Sequence, residues 1–332
     1  MKKAPVFAIL TVSSTLVPLG CGDSGSNLVR LDDAALVYVA EKTPETASTQ
    51  PVAPPPSVET RLVYVAEKAP ETAPLPRFEQ LLDLGAKIDK SGKSFDLTGL
   101  STLDGFRVDA DAERWNAIKV VRGKGRLTAQ TLRAFAKLPN LTEFLWSDAV
   151  LSAETDADAA FAEFAKSPKL KKIRLTGFQT ENGRFPSGAL TALAQTSQLA
   201  DLDVSGSPLN ADDLTAVDWK NGFAKLTKLN LYQTQVGDSG VDALLPLTDR
   251  LTSLNLDDAR IGPKSATKIA QFTELTFLHV GRSTLDDASL AEFAKLGKLA
   301  KIHVTRSKAT EAGADALRAA LPNCEVVSQP KN

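Results

Sequence analysis

The sequence LTKLNL at residues 226–231 is repeated 25 residues later as LTSLNL at residues 251–256. In both copies leucine occupies the first, fourth and sixth positions. Alternate residues of a β-strand point to the same face, so Leu229 and Leu231 project to one side of an extended segment. The pattern therefore predicts a short strand with one buried face in each copy.

The same six-residue frame recurs along most of the chain at intervals of 24–29 residues. A period of this size predicts a repeat architecture, in which each unit buries its apolar side only against its neighbours. A Pro-Asn pair precedes Cys324 as it precedes Leu141, which predicts that Cys324 begins a final strand. The predicted starts of the frame are Trp115, Leu141, Leu170, Leu199, Leu226, Leu251, Leu275, Leu299 and Cys324.

Each predicted strand is followed by two apolar residues spaced three apart, as in Leu290 and Phe293. This spacing is typical of a short helix with one apolar stripe. Thr128, Asp238 and Asp286 precede such stripes and are predicted to be helix N-caps.

These repeats resemble the leucine-rich repeat family in its longer, helix-containing form. The resemblance covers residues 77–327 and implies an α/β fold, a solenoid with a curved parallel sheet on its concave side and helices on its convex side. Within it, residues 77–110 are predicted to form an N-terminal cap and residues 111–327 the repeats with a closing strand. Residues 328–332 are left as a tail. The family's usual role is protein–protein recognition through the concave face and its rim loops, although a fold does not by itself name a ligand.

The first twenty residues have the composition of a secretory signal peptide. Lys2 and Lys3 precede an apolar run that ends at Leu19 and is too short to span a bilayer as a mature helix. Residues 1–20 are therefore predicted to direct export.

Cys21 directly follows Gly20, and this junction resembles a bacterial lipoprotein signal. The resemblance implies cleavage after Gly20 and attachment of lipid to Cys21, and so membrane anchoring in the cell envelope. Pro18 departs from the pattern, because that signal usually has leucine there. Ordinary secretion is the alternative, and the sequence leaves open whether the protein faces the periplasm or the outside.

Residues 21–76 are rich in proline, which favours extended chain and predicts a disordered, semi-rigid tether between the lipid and the repeats. The tether contains a duplication, LVYVAEKTPETA at residues 36–47 and LVYVAEKAPETA at residues 62–73. Two interpretations stay open. The copies are a recent duplication, or they are linear motifs whose LVYV segments add as strands to a partner's sheet.

Composition excludes several classes of function. The formal net charge of −1 gives no basic field for nucleic acid. Cys21 and Cys324 are the two cysteines, so a lipid on Cys21 leaves no intramolecular disulfide. A GDSG string at residues 237–240 starts like a serine protease motif, but Val241 replaces the next glycine and no histidine frame accompanies it. The sequence predicts neither catalysis nor a cofactor.

His279 and His303, the two histidines of the chain, occupy the same place in adjacent repeats. That place lies between the two inward leucines and points outward, so neighbouring strands would set the two side chains about 5 Å apart. Asp257 is near enough in the pattern to add an oxygen ligand. Zinc sites need three or four protein ligands, so a shared metal is the weaker interpretation and a polar binding surface the stronger.

The outward residues of successive strands make up the candidate binding face. Tyr232 and Phe277 are its predicted anchors, because aromatic side chains bury much area with little loss of rotamer freedom. Loop aromatics such as Phe178 and Trp219 either extend this contact site or pack over the loops. The candidate residues of the face are Arg174, Asp203, Asn230, Tyr232, Asn255, Asp257, Phe277, His279 and His303.

The sequence thus favours an exported, lipid-anchored module that binds an unidentified protein partner without catalysis. A passive structural component of the envelope is the first alternative. A metal-dependent protein that uses the two histidines is the last.

Overall fold

The computed structural model describes residues 75–100, 103, 105–152 and 157–328, together with the short segments 29–31 and 34–36. The chain divides into two units, Met1–Pro74 and Leu75–Asn332. In the first unit, strands β1 (Val29–Leu31) and β2 (Ala34–Leu36) pair antiparallel. The predicted signal peptide, Cys21 and almost all of the duplicated tether segment lie outside the described residues.

The second unit contains a 12-stranded sheet in which every pair of strands is parallel except the first. Neighbours in the sheet follow chain order, apart from a short strand, β8, which pairs with β6. Successive repeats stacked side by side require this order, which confirms the predicted solenoid. The strands are β3 (Lys87–Ile88), β4 (Ser94–Asp96), β5 (Val120–Leu127), β6 (Glu143–Leu151), β7 (Lys172–Leu175), β8 (Gln179–Thr180), β9 (Asp201–Asp203), β10 (Lys228–Asn230), β11 (Ser253–Asn255), β12 (Phe277–His279), β13 (Lys301–His303) and β14 (Glu325–Val327).

One short helix follows each repeat strand from β5 to β13, and most of these helices pack against the helix of the next repeat. The predicted apolar pairs, such as Leu290 and Phe293, are buried on the side that faces the sheet. A helix is about 10 Å wide whereas strands are about 4.8 Å apart, so the stack curves with the sheet on its concave side. The helices are α1 (Phe78–Asp83), α2 (Ala112–Ala117), α3 (Ala129–Ala136), α4 (Ala157–Phe164), α5 (Ser187–Leu193), α6 (Ala211–Thr215), α7 (Gly237–Ala243), α8 (Pro263–Ile269), α9 (Asp287–Phe293) and α10 (Glu311–Ala320).

Leucines of the repeated frame form continuous rows through the core. Leu229 pairs with Leu254, and Leu254 pairs with Leu278, in the registers of β10, β11 and β12. All three side chains are buried. No helix in the described part of the chain has the length and apolarity needed to cross a membrane.

The first predicted frame is wrong by three residues. Val121 pairs with Phe144, so Val121 occupies the inward position that the prediction gave to Ile118. Trp115 lies on α2, where its ring stacks on Phe106 in the core. Apolar residues at 115, 118 and 121 are spaced three apart, which let the frame fit one step early. The sheet also extends back into the predicted cap, because Phe95 of β4 pairs with Val121.

Two of the three predicted N-caps are confirmed. Thr128 accepts a hydrogen bond from the backbone N–H of Thr131, and Asp286 accepts one from Ser289. Asp238 is not a cap, because α7 begins one residue before it. Its carboxylate accepts a hydrogen bond from the N–H of Gly262, at 2.7 Å, and so ties its repeat to the next.

The loop aromatics belong to the core. Phe178 and Phe185 are buried and meet edge to face, and Trp219 and Phe223 are buried and stacked. The interpretation of these aromatics as part of a contact site is therefore wrong, and the packing interpretation is right.

A left-handed residue recurs in the eight repeats from β5 to β13, three residues after the outward residue of the frame; it lies inside β5 and β6 and follows the strand in the other six. After β7 and after β9 to β12 its backbone N–H donates to the next repeat, as from Gly206 to the carbonyl of Tyr232 at 2.8 Å and from Arg282 to that of Thr305 at 2.9 Å. Glycine adopts positive φ without strain, whereas other residues pay roughly 1–2 kcal/mol. The residues of this left-handed column are Gly125, Asp148, Gly177, Gly206, Gln233, Asp258, Arg282 and Arg306.

Candidate functional site

Six of the predicted site residues form one row across the concave face. The strand registers pair each with the next, from β7 to β13. The row follows from the repeat, since each member lies between two inward apolar residues and so points outward. Its members are Arg174, Asp203, Asn230, Asn255, His279 and His303.

The middle of this row is engaged with the backbone. Asn230 accepts a hydrogen bond from the N–H of Tyr232 at 3.1 Å, and Asn255 accepts one from Asp257 at 3.0 Å. Asp203 accepts the equivalent bond from Ser205. These side chains hold the turn after each strand, so their presence in the row has a structural reason.

Arg174 and Asp203 form an ion pair across neighbouring strands. The guanidinium Nε of Arg174 donates to Asp203 Oδ2 at 3.0 Å. Asp203 is buried while Arg174 is exposed, so the pair offers a partner the arginine rather than the carboxylate.

His279 and His303 lie side by side with ring centroids 4.7 Å apart, as the sequence predicted for adjacent strands. Phe277, which precedes His279 by two residues and shares its face, places its ring 5.8 Å from that of His303. All three side chains are half-buried. The three rings make a mixed apolar and polar platform in the last repeats.

Asp257 lies beneath this platform and is only 4% exposed. His279 Nε2 is 3.5 Å from Asp257 Oδ2. The main partner of the carboxylate is Arg282, which donates from Nε to Oδ1 at 3.2 Å and from Nη2 to Oδ2. A bidentate guanidinium satisfies a buried carboxylate on both oxygens, so this pair is stable without a further ligand.

Arg282 also covers Tyr232, with its Cζ 4.9 Å from the centroid of the phenol ring. The arginine reaches across because position 281 is glycine. A Cβ there would lie 2.9 Å from Asp257 Oδ1 and 2.7 Å from the carbonyl oxygen of Thr305. Arg282 was not among the predicted site residues, since it belongs to the turn and not to the strand. The feature that could have identified it is its position in the left-handed column, which recurs at a fixed place in each repeat.

These contacts connect six side chains into one group, which we call the aromatic–histidine cluster. Its members are Tyr232, Asp257, Phe277, His279, Arg282 and His303.

Burial lowers the pKa of His279, and Asp257 opposes part of that shift. Burial likewise lowers the pKa of His303, with a further contribution from Lys301. Both imidazoles are therefore neutral near pH 7. The cluster then presents neutral rings over a carboxylate already paired with arginine.

The described residues contain no group of three or more His, Cys, Asp or Glu side chains that could hold a metal ion. His279, His303 and Asp257 are close together, but both oxygens of Asp257 are held by Arg282. Within the described residues, a metal ion at this place would thus have two imidazole ligands and no third protein ligand.

The geometry defines the class of fold. Parallel strands in chain order, leucine rows in register and one helix per repeat make a leucine-rich-repeat solenoid. Among solved structures, an internalin C2 from Listeria monocytogenes is similar, with 17% identity, a TM-score of 0.46, and coverage of 65% of this chain and 83% of that chain. No protein-family model matches this chain, and no curated protein does.

Proposed function

We propose that the protein recognises another protein through its concave face, with the aromatic–histidine cluster at the centre of the contact. The main support for this proposal is that Tyr232 and Phe277 are half-buried on a face that the helices of the solenoid leave uncovered. Aromatic and arginine side chains are the residues that most often dominate binding energy at protein interfaces. Arg282 over Tyr232 supplies both kinds together.

The rigidity of the cluster supports the same function. Arg282 is fixed by Asp257, and His279 is held between Asp257 and His303. Side chains already ordered in the free protein lose little entropy when a partner binds, so more of their contact energy appears as affinity.

A crosslinking pull-down from the envelope of the native cell tests this function, with the full chain as bait. Tyr232→Ala/Phe277→Ala is the test variant. Leu84→Ala/Ile88→Ala is the matched control, since it also removes two apolar side chains, which are 64% and 41% exposed at the other end of the solenoid. We expect one protein to be captured by the wild type and the control and lost from the test variant.

Equal capture by the test variant and the wild type would place the contact elsewhere. Capture of nothing above background by any bait would favour a passive envelope component.

The proposal includes export and a lipid anchor on Cys21. Its support is the amino-terminal sequence, with two lysines, a short apolar run and a glycine before the cysteine. A lipid on Cys21 would hold the recognition face near a membrane through the proline-rich residues 21–76. Fractionation of cells that express Cys21→Ala tests the anchor.

A further inference from the structure

Three arginines with left-handed backbone lie in the last repeats. Arg282 and Arg306 belong to the left-handed column, with φ of 43° and 57°, and Arg260, with φ of 59°, lies in the loop before them. Earlier repeats place Gly177 and Gly206 in the same column. Arginine at a position that favours glycine is strained, and such strain persists where another requirement outweighs it.

The three arginines share one edge of the sheet. Arg282 donates its N–H to Thr305, the residue before Arg306, at 2.9 Å. The residue after Arg260 accepts a hydrogen bond from the N–H of Thr284, at 3.2 Å. All three therefore follow neighbouring strands at their carboxyl ends, and Arg282 lies over Tyr232.

Two of these arginines carry positive charge that no ion pair within the described residues neutralises, whereas Arg282 is paired with Asp257. Arg260 and Arg306 are exposed, and neither has an ion pair with a carboxylate of the described residues. Four other cations on or beside the concave face are each paired, at 3.0–3.4 Å: Lys124 with Asp148, Lys172 with Asp201, Arg174 with Asp203, and Lys301 with Glu325.

We propose that Arg260 and Arg306 bind the carboxylates of an acidic segment of the protein partner, while an apolar side chain of that segment rests on Tyr232 and Phe277. This inference rests on the proposed function and names the chemistry of the partner. Arginine suits the task, because its planar guanidinium matches a carboxylate with two parallel hydrogen bonds.

The charge pattern favours a peptide over a polyanion. Asp258 Oδ2 lies 3.9 Å from the Nε of Arg282, and Glu325 faces Lys301 on the adjoining strands. A nucleic acid or polyphosphate needs a continuous positive track, which these carboxylates interrupt. A protein segment with separated acidic side chains avoids them.

The test compares Arg260→Gly, Arg306→Gly and their double variant with Gln233→Gly. Gln233 is an exposed member of the same column, with φ of 53°, so its replacement relieves the same backbone strain without removing a charge. The probe is a fluorescein-labelled dodecapeptide in which glutamates flank two phenylalanines. A second peptide has glutamine at every glutamate position.

We measure fluorescence anisotropy at several salt concentrations, and thermal unfolding of each variant. Each arginine variant should bind the glutamate peptide about threefold more weakly, and the double variant about tenfold, because each loses one exposed ionic contact. The same variants should unfold at an equal or higher temperature, since they lose strain. Gln233→Gly should unfold at a higher temperature than the wild type and should bind the glutamate peptide with the same affinity.

Equal binding of the glutamine peptide would overturn the inference, as would unchanged binding by the double variant. Binding of phosphatidylserine vesicles, but not of the glutamate peptide, would also overturn it. A partner captured in the pull-down, lost with Tyr232→Ala/Phe277→Ala and kept by the double arginine variant would leave the proposed function standing and remove this inference alone.

Discussion

The left-handed column makes a prediction in which the sign of the effect depends on backbone conformation alone. Gly206 has φ of 70°, and a Cβ at this position would find its nearest neighbour, the backbone N of Gly177, at 3.6 Å. That distance is ordinary contact, so Gly206→Ala creates no clash. The left-handed backbone destabilises alanine by roughly 1–2 kcal/mol relative to glycine. The smaller conformational freedom of alanine in the unfolded chain stabilises the folded protein by roughly 0.4–1 kcal/mol. We expect a net loss of about 1 kcal/mol.

Two further variants set the scale for Gly206→Ala. Gln233→Gly applies the same terms in reverse, at φ of 53°, and should stabilise by about 0.5–1 kcal/mol. Gly297→Ala meets no atom within 4 Å and does not have positive φ, so it should be neutral or stabilise by up to about 1 kcal/mol.

Thermal unfolding followed by circular dichroism measures all three variants. For a domain of this size, 1 kcal/mol moves the midpoint by about 2–4 °C. The midpoint should fall for Gly206→Ala and should rise for Gln233→Gly. A rise for Gly206→Ala or a fall for Gln233→Gly would refute the claim that the backbone of the left-handed column strains residues other than glycine.

Three other predictions concern the core, the histidines and the anchor. Leu254→Ala, in the buried leucine row, should cost about 3–5 kcal/mol in urea unfolding, whereas Leu84→Ala, 64% exposed, should cost under about 0.5 kcal/mol; similar losses would contradict the repeat register. Because burial lowers the pKa of His279 and of His303 in the folded state, the unfolded chain binds more protons below about pH 6.5. The stability that these two histidines contribute is therefore complete above that pH and is lost on acidification. The thermal unfolding midpoint of His279→Asn/His303→Asn should fall less than that of the wild type between pH 7.5 and pH 5. An equal fall would contradict the lowered pKa of the two histidines. Cys21→Ala should move the protein from the membrane fraction to the soluble fraction, and firm attachment of the variant would argue against the lipid.

The repeat architecture was accessible from sequence because a strand face with period two and a fixed interval between strands leave few alternatives. The prediction failed where a second spacing competed. Trp115, Ile118 and Val121 are three apart, and so short an apolar segment does not by its spacing distinguish a helix from a strand. Pairing with Phe144 resolves the choice, and pairing is a property of the fold rather than of the local sequence.

The candidate site was predictable in its outline but not in its contacts. The outward row, including the neighbouring histidines, follows from the period of the strand. Whether an outward side chain is available to a partner does not follow, because Asn230 and Asn255 turn to the backbone. The reach of Arg282 to Asp257 and Tyr232 depends on the missing side chain of Gly281, which no periodicity records.

Site-specific photo-crosslinking in the native cell directly tests recognition of a partner protein through the concave face. A photoreactive phenylalanine analogue is placed at position 232 in one strain and at position 84 in another, since Tyr232 is already aromatic and Leu84 is 64% exposed. Recognition through the concave face predicts one discrete crosslinked protein after illumination at position 232 and none at position 84. A crosslinked protein at position 84 with none at position 232 would contradict it.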